Sequence, residues 1–373
     1  MNKYFDNSST SYPKPIEVAD AIYNHITNIG GNYGRATYQR ALKNNTIVEG
    51  ARDAIAELIG AKNGDHVFWC QSATMASNII LNSLDLQGKR VLVSPLEHNA
   101  VMRPLEHIGA SWTTLPSLSD GTIDIEKLKE ISLEDVDLII INLVSNVNGV
   151  IQPLKEVAQW AGETPIMVDS SQALGNINID VTKENINYLI FTTHKGLFGV
   201  PGLGGYYVKD TKNIRPFVYG GTGSSSESYL MPTTYPDRQE AGTPNIVGIV
   251  GLDAALKHKP KSEHTKEDTL ALIQGVKDID GIKVFCANNP LYQGDLFSFT
   301  HHSINGSDFM YRLQSVYGIE CRYGHHCAPL AHKSIGSFNT GTVRISLSPY
   351  HTKEDIVYLL NAIKEISNET HSL

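Results

Sequence analysis

FTTHKGLFGVPGLGG (residues 191–205) runs from an apolar stretch through His194-Lys195 into a loop of glycines. The order is wrong for a P-loop, in which the glycines come first and the lysine opens the helix. Gly199-x-x-Gly202-x-Gly204 also departs from the dinucleotide-binding spacing, and no helical pattern follows it. The lysine therefore closes a strand, and the rest of the chain decides what it is for.

Outward from this stretch, short apolar runs alternate with helical patterns. Strands are expected at 66–70, 90–94, 137–143, 166–169, 188–192 and 205–208, with helices such as 73–84 and 154–162 between most of them. That alternation predicts an α/β fold, a mainly parallel sheet covered by helices. Upstream, Pro13 and Pro15 precede apolar positions at three- and four-residue steps from Ile16 to Ile29, and Gly30-Gly31 stops them. This is a helix with a proline start and a glycine end. A second helix is expected over 46–59. After a helical run at 246–258, the charged stretch 259–266 breaks the pattern. Helices near 269–276, 308–317 and 354–366, with strands at 283–286, 296–300 and 342–347, then predict a smaller α+β domain. The division expected is a large domain over 15–258 and a small one made of 1–14 with 259–373.

The 373 residues are 41% hydrophobic and 19% charged, an ordinary globular composition. A net charge of −8 and a pI near 5.9 argue against a nucleic-acid partner, which requires a clustered basic face. The longest apolar run, Leu138–Ile141, is broken by Asn142, far short of a membrane span. The N-terminal MNKYFDNSST lacks the apolar core of a signal peptide. Four cysteines in so long a chain do not make a disulfide framework. The expectation is a cytoplasmic enzyme.

In open parallel sheets, ligands sit at the carboxyl ends of the strands. Ser72-Ala73-Thr74 stands there opening a helix, where free N–H groups hold a phosphate. Glu97-His98-Asn99, Ser145-Asn146, Asp169 and Thr192-Thr193-His194-Lys195 end the following strands. A phosphate cradle, an acid and a lysine on one edge are the parts pyridoxal phosphate needs: the lysine forms the Schiff base and the acid pairs with the pyridinium nitrogen. His98 is placed to stack on the ring, and His194 or Thr192 to hold the phosphate. Taken singly, Ser-Ala-Thr is also a plain helix cap, Asp169 a turn residue and Lys195 a solvated charge.

The segments YFDNSSTSYPKP, GNYGRA, SATMASN, LEHNAV, SNVNGVIQP, VDSSQALG, FTTHKG, EAGTPNI, RYGHHCAPL and GTVRISLSPY together resemble the class V aminotransferase group of fold type I pyridoxal-phosphate enzymes, and within it the cysteine desulfurases. The resemblance runs almost end to end. It implies Lys195 as the Schiff-base lysine, Asp169 as the pyridinium partner, His98 as the stacking base, and Asn146 and Gln172 near the ring oxygen. Phosphate contacts are implied for Ala73, Thr74, Thr192 and His194, and for Thr243 from the second subunit of a homodimer. Arg344 falls where the family grips the substrate α-carboxylate, a pairing that suits a planar guanidinium.

RYGHHCAPLAH selects the reaction. Cys321, His325, His326 and Cys327 invite a zinc reading, but Cys-x₃-His-His-Cys lacks the separated paired spacing of structural zinc sites. The resemblance instead makes Cys327 a mobile-loop nucleophile that carries a persulfide, with Arg322, His325 and His326 available to lower its pKa. Arg322 is also expected at the substrate. GHHCA resembles the short-loop, group II desulfurases. Two features depart from that group: Tyr38 stands where its members carry a histidine, and CAPLAHKSIGS is closer to a desulfurase-like side branch. The reaction implied is L-cysteine to L-alanine, with the persulfide passed to an acceptor thiol or protein. A carbon–sulfur lyase, a selenocysteine lyase or an aminotransferase of the same fold is the alternative.

Overall fold

The computed structural model describes residues 1–34 and 36–369. Its centre is a seven-stranded sheet in the order β1-β7-β6-β5-β4-β2-β3. The strands are β1 (Val67–Cys70), β2 (Arg90–Val93), β3 (Ser111–Thr114), β4 (Val136–Asn142), β5 (Ile166–Asp169), β6 (Tyr188–Thr192) and β7 (Gly204–Val208). β7 alone runs antiparallel to its neighbours. The expectation of a mainly parallel sheet therefore holds, and Asp169 and Thr192 are the last residues of β5 and β6. β4, β5, β6 and β7 are buried almost throughout, which is why they read as continuous apolar runs.

Helices α1 (Ile16–Asn24), α2 (Gln39–Leu58), α3 (Ala73–Ser83), α4 (Asn99–Ile108), α5 (Ile125–Leu128), α6 (Leu154–Ala161) and α7 (Ile246–Lys257) accompany this sheet. α1 continues as a wider π-helix through Ile29 and ends at Gly30 with φ of 57°. α2 begins seven residues before the expected start. Its first turns are anchored by a polar side chain: buried Asn44 donates Nδ2–H to the Gly30 carbonyl at 3.0 Å, a contact that apolar periodicity does not register. α4 is an addition to the expected helices; Pro104 lies inside it. At Gly204 a Cβ would lie 2.8 Å from the Ser72 carbonyl carbon and 3.0 Å from the Ala73 nitrogen. The glycine lets β7 press against the entry of α3.

A four-stranded antiparallel sheet, order β10-β11-β9-β8, follows. It contains β8 (Ile282–Phe285), β9 (Leu296–His301), β10 (Arg322–Gly324) and β11 (Thr342–Ser346), with α8 (Lys266–Lys277), α9 (Gly306–Tyr317), α10 (Pro329–Ser334) and α11 (Lys353–Asn368). Capping boxes start α8 and α11 from Thr265 and Thr352. Phe5 packs in the same apolar cluster as Phe297, Phe299, Ile345 and Leu359. The first residues are thus stitched to the later ones: the Phe5 N–H donates to the Glu320 carbonyl and the Ser346 N–H to the Phe5 carbonyl. Among the described residues, no helix is long and apolar enough to cross a membrane.

Candidate active site

Three parallel strands deliver the core of the site. Asn142 and Asp169 stand side by side in register at the ends of β4 and β5, and β6 ends one position before Thr193-His194-Lys195. The peptide preceding Lys195 is fixed by residues 10 and 11: the Thr10 and Ser11 hydroxyls and the Ser11 N–H all donate to the His194 carbonyl. A cavity of roughly 130 Å³ opens here, lined by Ala73, Thr74, His98, Asn146, Asp169, Gln172, Thr192, His194 and Lys195, with Ser72, Ala100, Asn142 and Ser171. Every cofactor residue expected within one subunit lines it. Thr243 does not. It is exposed and lines a separate hollow of roughly 1020 Å³ with Tyr33, Tyr38 and Glu240.

The electrostatics follow from burial. Desolvation pulls the Lys195 ammonium down to about 8; Asp169 opposes this and Arg344 adds to it. Burial likewise pulls the His98 imidazole down to about 4, against the pull of Asp169. His98 caps α4, its Nδ1 accepting the Ala100 N–H at 3.0 Å. The neutral ring therefore carries its proton on Nε2. His194, lowered to about 4 by burial and by Lys195, is neutral too.

The donor set fits pyridoxal phosphate. The Ser72 hydroxyl accepts the Met75 N–H, which leaves the first N–H groups of α3 free beside the cavity, as an anion requires. Asn146 Oδ1, Ser171 Oγ and His194 Nδ1 are buried without a hydrogen-bond partner, a costly state unless a ligand completes them. A half-buried lysine on the cavity wall and a strand-end carboxylate complete the set.

Sequence reasoning overlooked Glu97 and Asp6. Glu97 is fully buried, accepts the Ser94 hydroxyl at 2.8 Å and the Asn142 N–H at 2.7 Å, and is pushed up to about 8 by burial, with Asp169 adding to the rise. Its only signal was the adjacent His98. Asp6, in YFDNSST, bridges two arginines: its Oδ1 accepts Arg344 Nη2–H at 2.7 Å, and its Oδ2 accepts Arg322 Nε–H at 3.2 Å.

Cys327 is the exposed cysteine among the four; the others are partly covered. Burial drives the Cys70 and Cys321 thiols up to about 12. His326 and Cys327 both hold left-handed backbone, with φ of 49° and 58°, a conformation that costs non-glycine residues energy and persists only where its surroundings enforce it. Here Asn146 Nδ2–H donates to the His326 carbonyl at 2.7 Å, and the Asn99 N–H donates to the Cys327 carbonyl at 2.8 Å. The thiol residue is thereby tied to a cavity-lining amide and to the neighbour of His98. One expectation is corrected. His326 is not a cation beside Cys327: burial and the Arg344 charge push it down to about 2. Arg322 is engaged with Asp6. Among the described residues, no group of three or more His, Cys, Asp or Glu side chains is gathered to hold a metal ion.

Comparison with known proteins agrees with this geometry. The class-V aminotransferase family profile matches residues 3–359. The chain is 29% identical to a probable cysteine desulfurase of Methanothermobacter thermautotrophicus, covering 98% of this chain and 94% of the relative. It is 30% identical to one from Xylella fastidiosa, covering 97% and 90%. The apo structure of a cysteine desulfurase from Thermococcus onnurineus superposes with a TM-score of 0.90 at 25% identity, over 98% of this chain and 94% of that one.

Proposed function

The chain belongs to the class-V aminotransferase family, and we propose that it is a cysteine desulfurase that takes L-cysteine to L-alanine and leaves the sulfur as a persulfide on Cys327. The observation that carries this reading is the exposed, conformationally enforced Cys327 tied through Asn146 to the cavity of Lys195. When bound, pyridoxal phosphate supplies an electron sink that stabilises negative charge at the substrate α-carbon.

The residues then divide the work. Arg344 offers a buried guanidinium for the substrate α-carboxylate. Lys195, an amine with a pKa near 8, anchors the cofactor and afterwards takes the proton from the α-carbon. Asp169 would pair with the pyridinium nitrogen, and the first turn of α3, Thr192 and His194 would hold the phosphate. The Cys327 thiolate attacks the substrate sulfur, an S–S bond forms and the C–S bond breaks. The electron pair stays with carbon, which takes a proton to become the methyl group of alanine, and Lys195 returns a proton to the α-carbon. An acceptor thiol or protein then removes the outer sulfur from the exposed persulfide.

The assembly proposed is a cytoplasmic homodimer, with a large domain over 15–258 and a small one of 1–14 with 259–373. Thr243, which does not line its own subunit's cavity, would complete the partner's phosphate site. Thr243→Ala should weaken cofactor retention by about 1.5–3 kcal/mol, the usual worth of a charge-assisted hydrogen bond, without unfolding the subunit. Dialysis followed by absorbance checks this; unchanged retention removes Thr243 from the site.

The lowered Lys195 pKa carries a sign. Only the neutral amine bonds to an aldehyde. An ordinary lysine is almost wholly charged at pH 7, whereas a group titrating near 8 is about one-tenth neutral. Uptake of pyridoxal phosphate by the cofactor-free protein should speed up about tenfold from pH 7 to 9, with most of the gain by pH 8.5. A rate still climbing tenfold per unit at pH 9 would mean an unshifted lysine.

The overall reading is tested by incubating the enzyme with L-cysteine and measuring alanine, pyruvate and sulfide. Alanine with protein-bound sulfur supports it; pyruvate with free sulfide replaces it by a lyase.

A further inference from the structure

We propose that Asp6 is a built-in carboxylate that occupies the substrate-gripping edge of Arg344 and is displaced when the amino-acid substrate arrives. The inference rests on Arg344 as the α-carboxylate residue and goes beyond it by naming what stands in that place beforehand.

A guanidinium grips a carboxylate with two parallel N–H donors along either of two edges, Nε with Nη2 or Nη1 with Nη2. Nη2 belongs to both. In this structure Arg344 Nη2 donates to Asp6 Oδ1 at 2.7 Å and to the Ser9 hydroxyl at 2.8 Å. Ser9 in turn donates to Asp6 Oδ1 at 2.7 Å. The triangle takes up Nη2, so neither edge is free. Nη1 donates to the Asn146 carbonyl at 3.0 Å, while Nε is buried with no partner. A bidentate ligand must therefore remove Asp6 or Ser9 from Nη2, and the idle Nε–H marks the edge it would complete.

Two further features suit a displaceable carboxylate. The Arg344 side chain is 3% exposed; a buried cation without substrate requires a counter-ion. Arg322 stands opposite Arg344 on β10 and already holds Asp6 Oδ2 through Nε and Nη2, each at 3.2 Å. Its side chain is 52% exposed, so it can keep the carboxylate after Arg344 lets go. Asp6 thus changes from bridging two arginines to serving one, and no charge is stranded.

The test uses the cofactor-loaded enzyme and equilibrium binding read from the visible absorbance, with L-alanine and its neutral amide, L-alaninamide, as ligands. Asp6→Asn keeps the shape of the side chain but surrenders Arg344 more readily. It should tighten L-alanine about tenfold and leave L-alaninamide within twofold. Ser9→Ala, which removes only the hydroxyl clamp, should act in the same direction to a smaller extent and covers the case in which the Asp6 variant does not fold. Arg344→Gln is the control and should remove the preference for the acid over the amide. If Arg344→Gln leaves that preference intact, Arg344 is not the carboxylate residue and both readings fall. If the control behaves but Asp6→Asn weakens L-alanine, or shifts acid and amide equally, the displacement proposal alone is overturned. Asp6 would then be a fixed support.

Discussion

Cys327→Ser should lower alanine formation from L-cysteine by on the order of 10³-fold, about 4 kcal/mol in barrier height, while the visible absorbance of the bound cofactor is unchanged. The reason is chemical rather than structural. Serine has nearly the same volume and can adopt the same left-handed backbone beside His326. Asn146 and Asn99 hold the loop through the carbonyls of residues 326 and 327, which the substitution leaves in place. What is lost is the thiolate, the form that attacks sulfur. Mass spectrometry of the wild type after L-cysteine should show one added sulfur on the peptide containing Cys327, and none on the variant. Sulfide and pyruvate released by the serine variant at the wild-type rate would show that the C–S bond breaks without the thiol.

Lys195→Ala is expected to be at least as damaging. It removes the anchor for the cofactor and the base for the α-proton together, and base catalysis alone is worth about 10²–10⁴-fold. The variant should lose the visible absorbance of the covalently held cofactor even when pyridoxal phosphate is added in excess. Borohydride treatment of the wild type followed by peptide mapping should leave the pyridoxyl label on Lys195. A label on Lys14, the other lysine whose pKa burial draws down to about 8, would reassign the anchor. The Lys14 ammonium is already spent on the Ser11 carbonyl and hydroxyl, whereas Lys195 lines the cavity with Asp169.

These residues were legible in the sequence because strand ends are legible. A run such as IMVD or YLIFT announces a buried strand, and an open α/β sheet puts its chemistry where such runs stop. Asp169, Thr192 and Lys195 followed from that rule, and the helix opening at Ala73 followed from Ser72. Arg344 lies in the second sheet and Cys327 in the turn after its strand β10, and only the resemblance of their segments to a family marked them. Asp6 was invisible for a different reason. Its partners, Arg322 and Arg344, lie more than 300 positions away, and no local pattern reports a contact of that range. Glu97 was hidden by composition: an acid next to a histidine reads as solvent-facing, and only the packing of β2 against β4 shows that it is sealed. The neutrality of His326 belongs to the same class, since desolvation depends on what surrounds a ring rather than on what adjoins it in the chain.

The threading of residues 4–11 through the finished molecule has a consequence for how the protein is made. The Ser8 N–H donates to the Ser346 hydroxyl across 338 positions, Asp6 bridges to Ser346, and Ser11 closes over the backbone before Lys195. A ribosome releases the early partner long before the late one exists, and contacts of such separation are slow to form because the loop they close is long. The contacts of residues 5–8 with β11 must therefore wait until β11 has been synthesised and laid beside β9. Until then Asp6 lacks the Arg344 guanidinium that it shares with Arg322. Birth order and assembly order run opposite here, so the pairing of Asp6 with Arg344 forms only after both sheets have been made.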